Sequence, residues 1–223
     1  MTDVRILYED NHLLLAEKPQ GMPSQPDPSG QLDLWTLLKQ RCPFVGLVHR
    51  LDTPTGGVML YAKQQEMTGK LSALVQNHDT FVKEYIAVIP RPLDLPNGEM
   101  RDLLFHDGRT NKTFSVDKPR KGAKEARLTY RTLSTAPDGH TLVRVRLFTG
   151  RTHQIRVQLA SRGYPLVGDG KYGSREKSPG LALWSYRVTF PHPVTGHTVT
   201  VVSTPPSDIL PWSLIDVTSL SAP

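Results

Sequence analysis

Apolar residues recur along this chain at two spacings, every second position or every third to fourth, and the switches between them mark its elements. Val4 to Tyr8 and Leu13 to Glu17 are short strand-like runs, and Glu9, Asp10 and Asn11 supply the turn of a first hairpin. Pro19, Gly21, Pro23, Pro26, Pro28 and Gly30 then punctuate a surface loop. Leu34, Trp35 and Leu38 fit a short amphipathic helix that Pro43 forbids from continuing. The stretch from Phe44 to Lys63 is apolar at both ends and broken in the middle by His49, Arg50 and Asp52, then by Pro54, Gly56 and Gly57. It predicts strand, tight turn and strand with the Asp52 carboxylate at the turn, where a solvated hairpin and a functional group are both open readings. Met67, Leu71, Leu74 and Val75 predict a helix that Asn77 terminates.

From Thr80 to Ile89 the alternation puts Phe81, Lys83, Tyr85, Ala87 and Ile89 on one face and Val82, Glu84, Ile86 and Val88 on the other. Both faces are largely apolar, which predicts a central strand. Met100 to Leu133 predicts short strands around HDGRTN and around a basic loop, Lys118 to Lys124, open to a solvated reading or to RNA backbone contact. Asp138 and Gly139 turn the chain into an alternating run, Thr141 to Phe148. Thr152 then stands where it can cap a helix to about Arg162, with Ile155 and Leu159 inward, His153 and Arg156 on another face and Gly163 as the stop. Leu181 to Phe190 and Thr198 to Val202 predict a last hairpin, and the residues after Pro205 show no strong period. Without a repeat or a break in composition, residues 1–223 read as one domain, with a core of about 4–202 and a tail of 203–223. Many strands, few helices and tight hairpins predict an α+β fold with a mixed, mainly antiparallel sheet.

Composition narrows the partners. Lys and Arg outnumber Asp and Glu by 27 to 21, a formal net charge of +6, which favours a polyanion. Cys42 is the only cysteine, so an internal disulfide and a Cys-rich zinc site are excluded. No long apolar run or leader pattern stands at the N-terminus, and the expectation is a cytoplasmic protein without a membrane span. The histidines form neither His-x-x-x-His nor His-Glu-x-x-His, so no metal is expected. There is no Gly-x-Ser-x-Gly turn, and Thr53 to Gly57 lacks the lysine and glycine spacing of a P-loop.

Four segments together resemble the RluA family of RNA pseudouridine synthases. They are Val48-His49-Arg50-Leu51-Asp52, Val82-Lys83-Glu84-Tyr85, Gly150-Arg151-Thr152-His153-Gln154-Ile155-Arg156, and Gly168-Asp169 with Leu183 downstream. The likeness runs from about Val4 to Val202. It departs at Thr55-Gly56-Gly57, where many members have Thr-Ser-Gly, and at Leu183-Trp184-Ser185, where Leu-His-Ala is usual. Trp184 therefore puts the local wall of the cleft in question. The resemblance implies the pseudouridine synthase fold, a mixed sheet flanked by helices with the cleft across its middle. With so few residues before Val4, the expectation is a catalytic domain without the S4-like domain of many relatives.

The resemblance also implies chemistry. The C1′–N1 bond of a uridine breaks, the base turns, and C1′ joins C5, with no redox change and no cofactor. Asp52 is implied as the reacting carboxylate, whether it adds to the base or sugar or assists C2′ deprotonation. A carboxylate in a dry cleft needs a fixed cation to stay charged, and Arg156 takes that role, a surface ion pair being its ordinary alternative. Tyr85 is implied as the residue that stacks on uracil and can take the C5 proton, with core packing as the bland reading. Unstacking the target base costs a few kcal/mol, and Arg50 matches the position that fills the gap. His49 is placed to orient the turn, Leu183 to wall the uracil pocket, and Arg151 and Lys83 to meet RNA. The partner is RNA, tRNA or rRNA, with the protein as a monomer. Two other classes remain open at this point: an inactive RNA-binding or RNA-folding module on the same fold, and a metal-independent hydrolase using His49 and Asp52.

Overall fold

The structure, a computed structural model, describes residues 4–217 and 220; the other residues of the expected tail, and residues 1–3, lie outside the described residues. The chain divides into two compact units, residues 1–83 with 184–205 and residues 84–183 with 206–223.

In the first unit β1 (Ile6–Glu9) and β2 (Leu13–Lys18) form the expected hairpin, and Asp10 closes it by accepting from the backbone N–H groups of His12 and Leu13 at 2.7 and 2.9 Å. Next come α1 (Leu34–Arg41), β3 (Gly46–Leu47), β4 (Gly56–Ala62) and α2 (Gln65–Gln76), and later β10 (Leu183–Pro191) and β11 (Thr198–Val202). The strand order is β1-β2-β4-β10, with β3 beside β4 and β11 beside β10. The β4–β10 pair is parallel and the other pairs in this unit are antiparallel. Asp33 caps α1 through the N–H of Thr36, and the helix ends ahead of Pro43. The core follows from period two meeting period 3.6. Leu13, Leu15, Val58, Leu60 and Ala62 share one sheet face and meet Met67, Leu71 and Val75 of α2, with Phe81 stacked on Phe190.

In the second unit β5 (Val82–Ile89, which begins in the first unit), β9 (Thr141–Leu147), β8 (Ala123–Thr135), β6 (Asn97–Asp107) and β7 (Lys112–Val116) lie in that order. The β6–β8 ladder runs from Asn97↔Arg131 to Phe105↔Ala123, so these strands are long where the sequence predicted short ones. Their solvent-facing positions are polar and charged, which breaks up the apolar pattern without breaking the backbone pairing. The short helix α3 (Gln154–Ala160) packs Val157 against Leu104 and Ala126. As expected, β5 is buried on both faces from Glu84 onward. The α+β architecture, a mixed and mainly antiparallel sheet with flanking helices, matches the expectation.

Candidate active site

Asp52 opens a tight turn, Asp52 to Thr55, as expected, but at the end of a long irregular segment rather than directly after a strand. The strand before it is only Gly46–Leu47, and residues 48–55 form an irregular connection to β4 that ends in a turn closed by the Thr55 N–H donating to the Asp52 carbonyl at 2.9 Å. An irregular segment must find partners for its backbone groups, and here the loop after β2 supplies them. Ser24 exchanges hydrogen bonds with the N–H and carbonyl of Leu51 at 3.1 and 2.7 Å, Gln20 donates to Pro54 O at 2.9 Å, and the Gly21 N–H donates to Thr53 O at 3.0 Å.

Lys18 completes the clamp. It is fully buried at the end of β2, and its ammonium donates to the carbonyls of Pro19, Met22 and Thr53, the last at 3.0 Å. Burial pulls its pKa down from 10.5 to about 7, while the Asp52 carboxylate opposes the fall. The sequence reading gave Lys18 no role, because a lone lysine at a strand end looks like any solvated one. Lys18, Ser24 and Gln20 hold the backbone on both sides of Asp52, leaving that side chain partly exposed next to a buried cation.

His49 accepts the Leu60 N–H on Nε2 at 3.0 Å, which ties the connection to β4 and assigns its proton to Nδ1. Burial, with the Lys83 charge adding to it, holds its pKa down at about 3, so the imidazole is neutral near pH 7. Its Nε2 is engaged by the backbone of β4. Arg50, one position on, is exposed. Lys83 places Nζ 5.5 Å from the Phe81 ring centroid, and burial lowers its pKa to about 8. Tyr85, two positions along the same strand, shares that face and is 9% exposed.

Two departures from the family pattern are one packing event. Trp184 pairs with Gly56 across the parallel β4–β10 ladder, and a Cβ at Gly56 would stand 2.1 Å from Cζ3 of the indole. Trp184 is buried, and its indole N–H donates to Ser203 O at 2.9 Å. The missing side chain at position 56 makes the space that the larger one at 184 fills.

In the second unit Thr152 does not cap α3. The N-cap is His153, held in the left-handed region at φ 55, and the turn before it folds around Gln154. Gln154 Oε1 accepts from Arg151 N and Thr149 Oγ1 at 3.0 and 2.8 Å, and its Nε2 donates to Arg127 O at 3.1 Å. The Arg151 guanidinium donates through Nε to Glu125 O at 2.8 Å.

Arg156 is buried and donates through Nε and Nη2 to both oxygens of Asp169, at 2.8 and 2.7 Å. Its guanidinium carbon is 5.0 Å from the Tyr172 ring centroid. The Tyr172 hydroxyl accepts the Thr113 N–H and pairs with His153 Nδ1, both at 2.9 Å. A planar fork held edge-on by a carboxylate and face-on by a ring is fixed in position and direction, and its Nη1 edge lies outside the bidentate pair. Asp169 belongs to the Gly168-Asp169 motif, which by itself assigns it no role, and nothing in the local sequence marks Tyr172. Leu183, 4% exposed, opens β10 just after Ala182, whose carbonyl accepts the Val88 N–H.

The model of a family described as RNA pseudouridylate synthase matches residues 12–161. The chain belongs to that family. Among similar curated proteins, the dual-specificity RNA pseudouridine synthase RluA of Vibrio parahaemolyticus is 31% identical over 208 residues, covering 84% of this chain and 78% of that protein. The ribosomal large subunit pseudouridine synthase D of Pseudomonas aeruginosa is 36% identical over 241 residues, covering 95% and 71%. A solved structure of human RNA pseudouridylate synthase domain containing 1 has a TM-score of 0.77 and 22% identity over 92% of this chain and 84% of that one, a likeness of fold. These relatives bear out the resemblance to the RluA family, and the chain is an RNA pseudouridine synthase with RNA as its substrate. No helix among the described residues is long and apolar enough to cross a membrane.

Proposed function

We propose that this pseudouridine synthase acts on uridines in structured ribosomal or transfer RNA with Asp52 as the reacting carboxylate. The observation that carries the assignment is the clamp: Lys18, Gln20, Gly21 and Ser24 all fix the backbone from Leu51 to Pro54. Rigid backbone on both sides of a partly exposed Asp is what positioning a reacting group requires. Arg50, exposed two residues earlier, enters the stack that the target base leaves. Arg156 supplies the fixed positive charge and Tyr85 the ring that meets uracil. Leu183 walls the base, while Arg151 and Lys83 meet RNA and His49 keeps the connection in place. The family name of one relative, a ribosomal large subunit enzyme, supports a ribosomal target. The protein works without a cofactor as a cytoplasmic monomer, with residues 1–223 acting as one catalytic domain.

The test is release of tritium from C5-labelled uridine in total RNA by the purified parent and by Asp52→Asn. The parent releases label and Asp52→Asn does not. Equal release by the two, or none by the parent on any cellular RNA, sinks the assignment.

A further inference from the structure

Residues 105–125 hold six Lys and Arg against three Asp and Glu, so a stretch of 21 residues carries +3 of the chain's +6. The structure puts this excess around two rings. Phe105 on β6 and Phe114 on β7 are direct cross-strand partners and so share one sheet face. The Arg120 guanidinium sits 3.9 Å from the Phe105 centroid, and Lys112 Nζ lies 5.7 Å from that of Phe114. Phe114 is 43% exposed, and residues 117–122 are all exposed. Exposing a large ring costs hydration free energy that a contact covering it would recover. β7 ends the strand order of its unit, so the pair lies at a sheet margin.

We infer that the Phe105–Phe114 face, with Arg120 and Lys121, is a second RNA-binding surface that takes a single-stranded segment flanking the target uridine. The chemistry matches that occupant: rings offer a face on which bases stack whatever their sequence, and interleaved guanidinium and ammonium groups meet the phosphates between them. A duplex would present phosphates alone and leave Phe114 without a base to stack on. The surface is also firmly mounted. Thr113, beside Phe114, gives its N–H to Tyr172 and its hydroxyl to Thr152 O at 2.9 Å, and Lys171 Nζ donates to Asn111 O at 2.8 Å. RNA held here is therefore held on the element that also carries the Tyr172 support of Arg156. The inference rests on the reading of the chain as an enzyme of structured RNA.

The experiment uses the full chain as Asp52→Asn, so that binding is read without turnover. Fluorescence anisotropy compares a labelled RNA hairpin alone, with a single-stranded tail of about 12 nucleotides, and with the same length added as duplex. The tail raises affinity more than the duplex extension does. Phe114→Leu, at an exposed position where the fold is kept, removes about tenfold of that gain. Arg120→Gln with Lys121→Gln lowers the log–log salt slope by about 1.4 on the tailed RNA, at roughly 0.7 per cation on a single strand. Melting curves check that both variants fold. Equal gains from tail and duplex, or unchanged affinity in Phe114→Leu, overturn the inference. Tritium release by the parent is measured separately, so a failure of the enzymatic reading leaves the binding result standing, and the reverse.

Discussion

Replacing Lys18 by Met tests the clamp at Asp52 through its proton. The ordinary lysine pKa is 10.5 and burial lowers that of Lys18 to about 7. Between those values the unfolded chain binds the proton and the folded chain does not, so stability rises with pH across that window, by up to 1.36 kcal/mol per pH unit. Below pH 7 both states are charged and the whole desolvation cost stands. Integrated from pH 7 to 10, the parent gains about 4 kcal/mol that Lys18→Met lacks. The assay is urea or guanidinium unfolding of both proteins at several pH values from 6 to 10, and the readout is the difference between them. That difference, unlike the absolute stability of the variant, is insensitive to the change in packing and to the donors lost by the Pro19, Met22 and Thr53 carbonyls. Other titrating groups cancel in it. A difference that stays flat from pH 7 to 10 refutes the claim that a buried, proton-exchanging Lys18 holds the loop. In the same comparison Asp52→Asn, which removes the carboxylate that favours the ammonium, moves the rise to lower pH.

Gly56→Ser drives a side chain into the Trp184 indole and costs about 3 kcal/mol or more, whereas Trp184→His in the Gly56→Ser background recovers at least about 1 kcal/mol of it; additive losses in this double-mutant cycle, read by denaturant midpoints, defeat the packing argument. Asp169→Asn keeps the shape beside Arg156 but removes the charge that holds its fork, and kcat for tritium release falls at least tenfold with the RNA affinity unchanged; a rise in KM alone tells against it. His49, with a folded pKa near 3 against 6.5 unfolded, contributes stability that is present above pH 6.5 and lost as pH falls toward 3. His49→Gln therefore flattens the acid limb of the stability profile, and an unaltered limb in that variant shows the imidazole to be charged in the folded state.

Much of the secondary structure was legible in the order of residues. Alternation at Thr80 to Ile89 and helical spacing at Met67 to Val75 follow from which faces must be dry, and both elements formed where their patterns lay. The motifs around Asp52, Tyr85 and Arg156 named a family and its reaction because residue identity survives in the sequence whatever the fold does with it. What failed locally was governed by distant partners. Thr152 had the right chemistry for a cap, but the Gln154 side chain closes the turn onto Thr149, Arg151 and Arg127. The chain from Val48 to the turn at Asp52 is irregular because the loop after β2 satisfies its backbone groups, and no spacing within Phe44 to Lys63 records that. Lys18, Asp169 and Tyr172 belong to the same class. A buried ammonium, a carboxylate forked onto an arginine and a ring beneath it acquire their roles only when separate segments of the fold bring their partners within 3 to 5 Å. Sequence alone determined the chemistry that this protein has to offer, since that is fixed by side-chain type. Tertiary structure decided which of those groups are desolvated, paired and held still, because desolvation and hydrogen-bond geometry are properties of neighbours in space.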